Sequence, residues 1–332
     1  MAAGYTLRKG EIKKYFVSES DFWAAINYTF SDSCKKRSTY KFGLIKSIID
    51  NLFSVQKSDR GIDLSYRDIF SKFAENYWGL ITRHNLRQIR PDGKSRFTKL
   101  EMIFETVKSR SNISDYIEFD SLAAEDRAYI INEVTKQCKQ NVLGALYNDF
   151  DGLIFGFDLN GTGIWINPVA YEFFLKYKIE IEQMNYYAWA KFMEKINTTE
   201  VLSGVFNKLE PSKPRRQDLN IYRKILAEEF ECNNCFYCGK KLQHSAHVDH
   251  VIQWSYIKGD YIWNFVLACP ACNEKKNDKL PSRSILSRVV VRNEEFVHSE
   301  DPFVCKELSA YTPDTLWAIW DYAKLSGIRV ME

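Results

Sequence analysis

CFYCGKKLQHSAHVDHVIQWSYIKGDYIWNFVLACPACNEKK, residues 235–276, is the stretch that decides the fold of the C-terminal part of this chain. It opens with Cys235 and Cys238 and closes with Cys269 and Cys272. Each CxxC turn directs two sulfurs at one point, and four thiolates complete a closed tetrahedral zinc site. The spacing therefore predicts a structural zinc, with an insert between the pairs that is longer than in a simple zinc ribbon.

One alternative pairing stays open within this region. Cys232 forms a further CxxC with Cys235, so these two could in principle supply the first pair of ligands. Its position beside the acidic Glu231 makes Cys232 the weaker candidate. In a cytosolic chain, cysteines crowded in this way favour metal binding over disulfides, and buried cysteines without a metal are the alternative.

The segment between the two CxxC pairs has the residue types that phosphodiester hydrolysis needs. Asp249 and His250 lie in HVDHVI, which is typical of a short strand, and Asn264 begins a second one. The second CxxC pair opens a polar helix that carries Asn273 and Lys276. Histidine suits the role of base because its pKa lies near neutrality. Carboxylate and amide oxygens suit Mg²⁺, which keeps several waters.

The ordered pattern C-x2-C-G, V-D-H, W-N-x-V-L-A-C-x2-C-N-x2-K resembles the HNH endonuclease module over about residues 230–292. That module is a ββα-metal fold with zinc knuckles, and a bacterial restriction or phage-defence nuclease acting on DNA is implied. The resemblance implies these roles: His250 as general base, Asp249 and Asn273 as ligands of a catalytic Mg²⁺ or Mn²⁺, Asn264 as the residue that orients the loop bearing His250, and Lys276 as a phosphate contact. His247 could approach the site, although a surface position is favoured for it.

The sequence departs from the family pattern in three places. Asn273 stands where the family's third motif letter is His, which keeps an oxygen ligand. Gln253 replaces a frequent Pro, and Lys258-Gly259-Asp260 replaces a Gly pair. The last two departures put the loop geometry in question, whereas the chemistry is unaffected.

The rest of the chain predicts a second, mainly helical region. Helices are expected in KFGLIKSIIDNLF, as one amphipathic helix, and in the runs DFWAAINYTF, YRDIFSKFAENYWGLI, KLEMIFETV, residues 121–148, AYEFFLKYKI and YAWAKFMEKI. Asn160-Gly161-Thr162-Gly163 predicts a hairpin turn. Pro211 and Pro214 suggest a linker, after which DLNIYRKILAEEF and TPDTLWAIWDYAKL read as helices. The expected class is α+β, with residues 1–215 for target recognition or partner binding and residues 216–332 as the nuclease domain.

A basic segment is the candidate nucleic-acid contact. Arg83, Arg87 and Arg90 have spacings that would align them on one helical face ending before Pro91. A solvated loop is the alternative interpretation. Two further basic clusters comprise Lys35, Lys36, Arg37 and Lys41, and Lys213, Arg215 and Arg216.

Composition limits the function classes only mildly. The 332 residues carry a formal net charge of +3, too small to indicate nucleic-acid binding without clustering. No apolar run approaches a membrane span and the N-terminus has no leader-like apolar block, so we expect a cytoplasmic protein without a membrane partner. A non-catalytic zinc module that binds nucleic acid and a partner-activated nuclease acting on RNA are the alternatives. The helical region could also dock a protein partner or form a homodimer.

Overall fold

The computed structural model describes residues 4–90, 97–210, 219–229, 233–242, 246–309 and 311–331. The chain divides into two units, Met1–Lys213 and Pro214–Glu332. The expected linker prolines, the boundary near residue 215 and the basic cluster Lys213, Arg215 and Arg216 lie outside the described residues. Among the described residues, no helix is both long and apolar enough to cross a membrane.

The first unit packs helices around a small antiparallel sheet. Its helices are α1 (Glu19–Phe30), α2 (Tyr40–Asp50), α3 (Tyr66–Thr82), α4 (Lys99–Arg110), α5 (Ala124–Asp149), α6 (Pro168–Lys176), α7 (Lys178–Glu194), α8 (Thr199–Leu202) and α9 (Val205–Leu209). Its strands are β1 (Lys9–Gly10), β2 (Gln56–Ser58), β3 (Gly61–Ser65), β4 (Phe155–Asp158) and β5 (Gly163–Ile166), in the order β1-β4-β5-β3-β2. The predicted hairpin is confirmed as β4–β5, and three strands that the sequence did not indicate extend it. Two of those strands, β1 and β2, have only two and three residues, too few for a detectable alternation.

Helix α2 is a central helix, and the amphipathic pattern expected for it is wrong. All of its residues are buried, the polar ones included. Gly43 allows the ring of Tyr77 to pack against the backbone, because an added Cβ there would lie 2.3 Å from a ring carbon. The polar residues that suggested a solvent face are satisfied internally: Lys46 pairs with Asp50 and with Glu182, the latter at 3.3 Å.

The expected helix through Arg83, Arg87 and Arg90 is also wrong. Helix α3 ends at Thr82, and Asn85 adopts a left-handed conformation with φ of 51°, which breaks the helical path. The chain beyond it is extended and hydrogen-bonds to the segment around Ser38. The three arginines are nevertheless exposed, whereas the four-residue basic cluster is partly internal because Lys41 is buried against Asp149.

The second unit contains the two CxxC pairs. Its helices are α10 (Asn220–Lys224), which continues into a π-helical turn over Ile225–Glu229, α11 (Trp254–Ile257), α12 (Pro270–Lys276), α13 (Arg283–Phe296), α14 (Pro302–Leu308) and α15 (Pro313–Leu325). Strands β6 (His247–His250) and β7 (Phe265–Ala268) form an antiparallel pair. The α+β class is therefore confirmed, and the closing helix is present as α15.

Side chains of helix α13 hydrogen-bond to the backbone at the start of β7. The buried guanidinium of Arg292 donates to the backbone oxygens of Phe265 and Trp263. The side-chain amide of Asn293 donates to the same Trp263 oxygen at 2.9 Å. These charge-assisted and amide hydrogen bonds fix the backbone from which β7 begins.

Replacing Lys46 with Met tests the buried ion pairs of α2. The change leaves the carboxylates of Asp50 and Glu182 buried without their ammonium partner, which should lower the free energy of unfolding by about 3–5 kcal/mol. Lys108→Met, at a more exposed pair with Glu105, is the control and should change stability by no more than about 1 kcal/mol. Urea unfolding followed by tryptophan fluorescence measures both, and equal losses in the two variants would contradict the assignment.

The same pair predicts a dependence on pH. Burial opposes ionisation of Asp50, but the ammonium groups of Lys46 and Lys72 outweigh it and lower the pKa of Asp50 to about 2. A carboxyl whose folded pKa is depressed contributes stability above its unfolded pKa of about 4 and loses it as the pH falls toward the folded value. The stability difference between wild type and Lys46→Met should therefore shrink between about pH 5 and pH 2.

Candidate metal centre and active site

The first CxxC pair sits at the tip of a tight turn. The backbone N–H of Gly239 donates to the oxygen of Cys235 at 2.8 Å, and the N–H of Cys235 donates to Lys240 at 2.8 Å. Gly239 has a φ of 72°, a left-handed conformation that glycine adopts without steric cost. The turn thereby brings the side chains of Cys235 and Cys238 to one side.

The second CxxC pair begins helix α12. Cys269 is the N-cap, Pro270 occupies the first turn, and the N–H of Asn273 donates to the oxygen of Cys269 at 3.0 Å. The turn that contains Cys235 and Cys238 is held against β7 by a hydrogen bond of 2.9 Å from the N–H of Phe236 to the oxygen of Leu267. The backbone of β7 thus brings the two cysteine pairs together, because the first pair is hydrogen-bonded to β7 and the second pair follows directly after it.

The four sulfurs form a metal-binding cluster. The Sγ atoms of Cys235, Cys238, Cys269 and Cys272 lie within 4.8 Å of one another, and the Cys238–Cys269 pair is 3.9 Å apart. Zinc–sulfur bonds of about 2.3 Å in a tetrahedron require sulfur separations of about 3.8 Å, so the cluster fits zinc. Across the described ranges, no other group of three or more His, Cys, Asp or Glu side chains is placed to hold a metal. Cys232, the alternative ligand, lies outside the described residues.

The thiols of this cluster differ in their acidity. Burial opposes ionisation of Cys235, but hydrogen bonds from the backbone of Cys238, Cys269 and Tyr237 outweigh it and lower the pKa of Cys235 to about 7. Burial and hydrogen bonds with the other cysteine side chains raise the pKa of Cys272 to about 12. Backbone hydrogen bonds from both CxxC pairs therefore favour a thiolate at Cys235.

Strands β6 and β7 and helix α12 form the ββα arrangement implied by the resemblance. In the strand register Asp249 pairs with Val266 and His250 pairs with Phe265. Because successive side chains of a strand point to opposite faces, Asp249 and His250 face different sides of the ribbon. Asp249 faces helix α12, as its contact with Lys276 shows. His250 points to the opposite face of the ribbon, where its ring contacts the ring of Phe265.

Asp249 is buried and engaged by two donors. Its Oδ2 accepts from the hydroxyl of Tyr237 at 2.5 Å, and the ammonium of Lys276 lies 3.3 Å from the same oxygen. Burial raises the pKa of Asp249 even though Lys276 and Tyr237 favour the carboxylate. A carboxylate has about four lone-pair sites, and these contacts do not use all of them. The Asp249 carboxylate therefore retains a lone pair for a metal ion.

Lys276 points into the protein. Only 1% of its side chain is exposed, and its Nζ donates to the backbone oxygen of His250 at 2.6 Å in addition to contacting Asp249. Burial lowers the pKa of this ammonium. The resemblance implied that Lys276 contacts a phosphate, but the structure places its ammonium inside the protein. Three residues after Asn273 on the helix, the Lys276 side chain points toward β6 and not toward solvent.

Asn264 closes the loop that follows His250. Its side-chain oxygen accepts from the N–H of Ile252 at 2.8 Å, and its amide donates to the oxygen of Ile252 at 2.8 Å. Its own backbone oxygen accepts from Val251 at 2.7 Å. Asn264 is fully buried at the end of a 3-10 turn, one residue before β7 begins, and it joins the two ends of the loop from Val251 to Asn264.

Asn273 contacts His247, a residue expected at the surface. The side-chain nitrogen of Asn273 lies 3.1 Å from Nδ1 of His247, and both residues are half-buried. An amide nitrogen only donates, so Nδ1 of His247 is the acceptor and Oδ1 of Asn273 retains its lone pairs. Within the part of the chain that is described, the structure shows no direct hydrogen bond between Asp249 and Asn273. Their oxygens are nonetheless the donor types that Mg²⁺ and Mn²⁺ prefer.

His250 has a partner that sequence reasoning missed. Its Nε2 lies 2.9 Å from Oδ1 of Asp260, and its ring packs against the ring of Phe265 with centroids 4.5 Å apart. The only signal in the sequence was that Asp260 falls in the place of a family Gly pair, which gave no indication that its side chain would face His250.

Comparison with known proteins supports the resemblance. Residues 235–279 match the HNH endonuclease family, and this segment runs from the first CxxC pair through helix α12. The resemblance of this part of the chain to that family is thereby confirmed. Neither the curated proteins nor the solved structures gave a significant match to the chain.

Cys269→Ser tests the cluster. We expect about one zinc per chain in wild type after extensive dialysis, and loss of that zinc together with unfolding of the second unit in the variant, because binding and folding of closed zinc sites are coupled. Cys305→Ser replaces an exposed cysteine outside the cluster and should keep the metal. Elemental analysis and circular dichroism measure both properties, and folded wild-type protein without zinc would contradict the assignment.

Proposed function

We propose that this protein is a metal-dependent HNH endonuclease that hydrolyses phosphodiester bonds in DNA. The observation that carries the proposal is the ββα arrangement, in which Asp249 and His250 end strand β6 and helix α12 carries Asn273, whose side chain contacts His247 of the same strand. This arrangement lies within the segment that matches the HNH endonuclease family. Restriction or phage defence in bacteria is the biological setting that we infer from the resemblance.

The proposed chemistry divides among four side chains. Asp249 and Asn273 would hold the catalytic divalent metal through oxygen atoms, and His250 would accept a proton from the attacking water. Asn264 keeps the loop after His250 in place through its two hydrogen bonds to Ile252. A bound Mg²⁺ or Mn²⁺ would supply charge stabilisation for the phosphate and the departing oxygen.

Lys276 has a supporting place in this proposal. Its ammonium joins the carboxylate of Asp249 to the backbone oxygen of His250, so it fixes the two adjacent residues relative to α12. A direct contact with a DNA phosphate would require Nζ to leave both partners. We therefore infer that Lys276 affects cleavage mainly through Asp249 and His250.

The first unit is proposed to select the target. Arg83, the C-cap of α3, and Arg87 and Arg90, on the segment after Asn85, are all exposed, so they can reach phosphates without the helical alignment that the sequence suggested. The guanidinium of Arg83 also stacks over the ring of Tyr116 at 5.1 Å. A protein partner or a second copy of the chain is an alternative occupant of this unit's surface.

His250→Ala tests the active site. Purified wild type should cut plasmid DNA in the presence of Mg²⁺ and not in EDTA, and the variant should cut about 10²–10⁴-fold more slowly because it lacks the base. His298→Ala, at an exposed histidine of the same unit, should cut at the wild-type rate. Zinc content should be equal in all three proteins.

The same assay separates the alternatives. Parallel incubation with total RNA should leave the RNA intact, and cleavage of RNA but not DNA would favour the partner-activated RNA nuclease. Binding of DNA without cleavage of either substrate at any divalent metal tried would favour the non-catalytic zinc module. Wild-type cleavage by His250→Ala would contradict the assigned site.

Replacing Arg83, Arg87 and Arg90 with Ala tests target binding. If each arginine neutralises one phosphate, the slope of log affinity against log salt should fall by about 0.9 per lost contact. The control triple variant replaces Arg8, Lys57 and Arg67, which are exposed bases elsewhere in the first unit. Binding to a labelled duplex at several salt concentrations measures both slopes, and equal slopes would mean that the arginine segment is only solvated.

A further inference from the structure

We propose that Asp260 is a positioning residue that holds His250 through Nε2, so that Nδ1 is the nitrogen that accepts the proton from water. The inference rests on the proposed nuclease function, because it names the atom by which His250 acts. It concerns a residue that stands in the place of a glycine in the family pattern.

The contact between the two side chains is short and shielded. Oδ1 of Asp260 lies 2.9 Å from Nε2 of His250, and the side chains are only 15% and 18% exposed. Hydrogen bonds to an ionised group in a partly buried place are stronger and less screened than those at the surface. The ring of Phe265 also packs against the imidazole in a tilted contact with centroids 4.5 Å apart, so the orientation of the imidazole is constrained from two directions.

Asp260 is itself held by the surrounding structure. Its backbone oxygen accepts from the hydroxyl of Tyr222, on helix α10, at 3.0 Å. The Tyr222 ring packs on Phe265 with centroids 4.6 Å apart. Two residues beyond Asp260, the N–H of Ile262 donates to the carboxylate of Glu307 at 3.3 Å. The loop that presents Asp260 is thus attached to helices α10 and α14 by groups other than the Asp260 carboxylate.

The chemistry of the pair assigns the proton. A neutral imidazole has one N–H donor and one lone pair, and a carboxylate only accepts, so the proton lies on Nε2 and the lone pair on Nδ1. Within the residues that the structure describes, Nδ1 contacts no protein donor or acceptor. In the proposed step Nδ1 takes one proton from water, the water oxygen bonds to phosphorus, and the bond from phosphorus to the departing oxygen breaks. The departing oxygen keeps the electron pair of that bond and takes a proton from a second water molecule. The positive charge that develops on the imidazole then lies beside the carboxylate of Asp260, which stabilises it.

Asp260→Asn is the variant that tests this role. It keeps the size of the side chain, but its amide can accept or donate and so no longer specifies the tautomer. We expect single-turnover cleavage of plasmid DNA by zinc-loaded, full-length protein to slow by about 10- to 100-fold, with the Kd for DNA unchanged. Asp314→Asn, at an exposed position in the first turn of α15, removes the same charge and should cleave normally. A wild-type cleavage rate in Asp260→Asn would overturn the proposal.

A second measurement does not depend on activity. Long-range ¹H–¹⁵N correlation spectra of the histidine rings, recorded where the imidazole is neutral, should show the Nε2–H tautomer for His250 in wild type and a mixture in Asp260→Asn. The His250→Ala spectrum assigns the signal. An Nδ1–H tautomer in wild type would overturn the proposal even if Asp260→Asn failed to fold. If wild type does not cleave DNA at all, the proposed function fails, while the spectra still decide whether Asp260 holds Nε2.

Discussion

The convergence of four cysteine sulfurs is the constraint on which the candidate site depends. It ties the turn at Cys235 and Cys238 to the start of α12 at Cys269 and Cys272, and the strand β7 runs directly between the loop and that helix. The β6–β7 pair is only four residues long on each side, too short to be stable alone in water. Closure of the cluster by a metal would supply free energy that so short a strand pair lacks, and would couple the geometry around Asp249 to metal binding.

Alternation along a strand explains how two adjacent residues can take different roles. Asp249 and His250 point to opposite faces of β6, and each meets its own set of partners. Asp249 contacts Tyr237 and Lys276 on the side of α12, whereas His250 contacts Asp260 and Phe265 on the other side. One backbone position therefore separates the residue proposed to bind metal from the residue proposed to accept a proton, and a slip of one residue in register would exchange the two faces.

The first unit has a core of its own that does not rely on the cysteine cluster. Helix α2 lies within this core, and its Lys46 and Asp50 pair with each other inside the protein. Removing one member of a buried ion pair lowers the stability far more than replacing both members with apolar residues. The polar residues of α2 therefore require their partners on neighbouring helices. This unit, with its sheet and its exposed arginines, is the part of the chain that we propose to select the target.

The sequence alone determined the elements whose cause is local. The CxxC spacing, the Asn-Gly turn between β4 and β5 and the family pattern from Cys235 to Lys276 each depend on residues close together in the chain, and the structure and the family match agree with them. Tertiary structure decided what depends on distant partners. In an amphipathic helix Lys46 would be expected to face solvent, but the fold places Glu182 beside it. Lys276 was expected to contact a phosphate, but the fold places the backbone oxygen of His250 beside it. Asp260 had no partner in the sequence interpretation, but the fold places its carboxylate beside His250. The direction of a polar side chain is set by which donor or acceptor the fold places within hydrogen-bonding distance, and residue spacing carries no information about that distance.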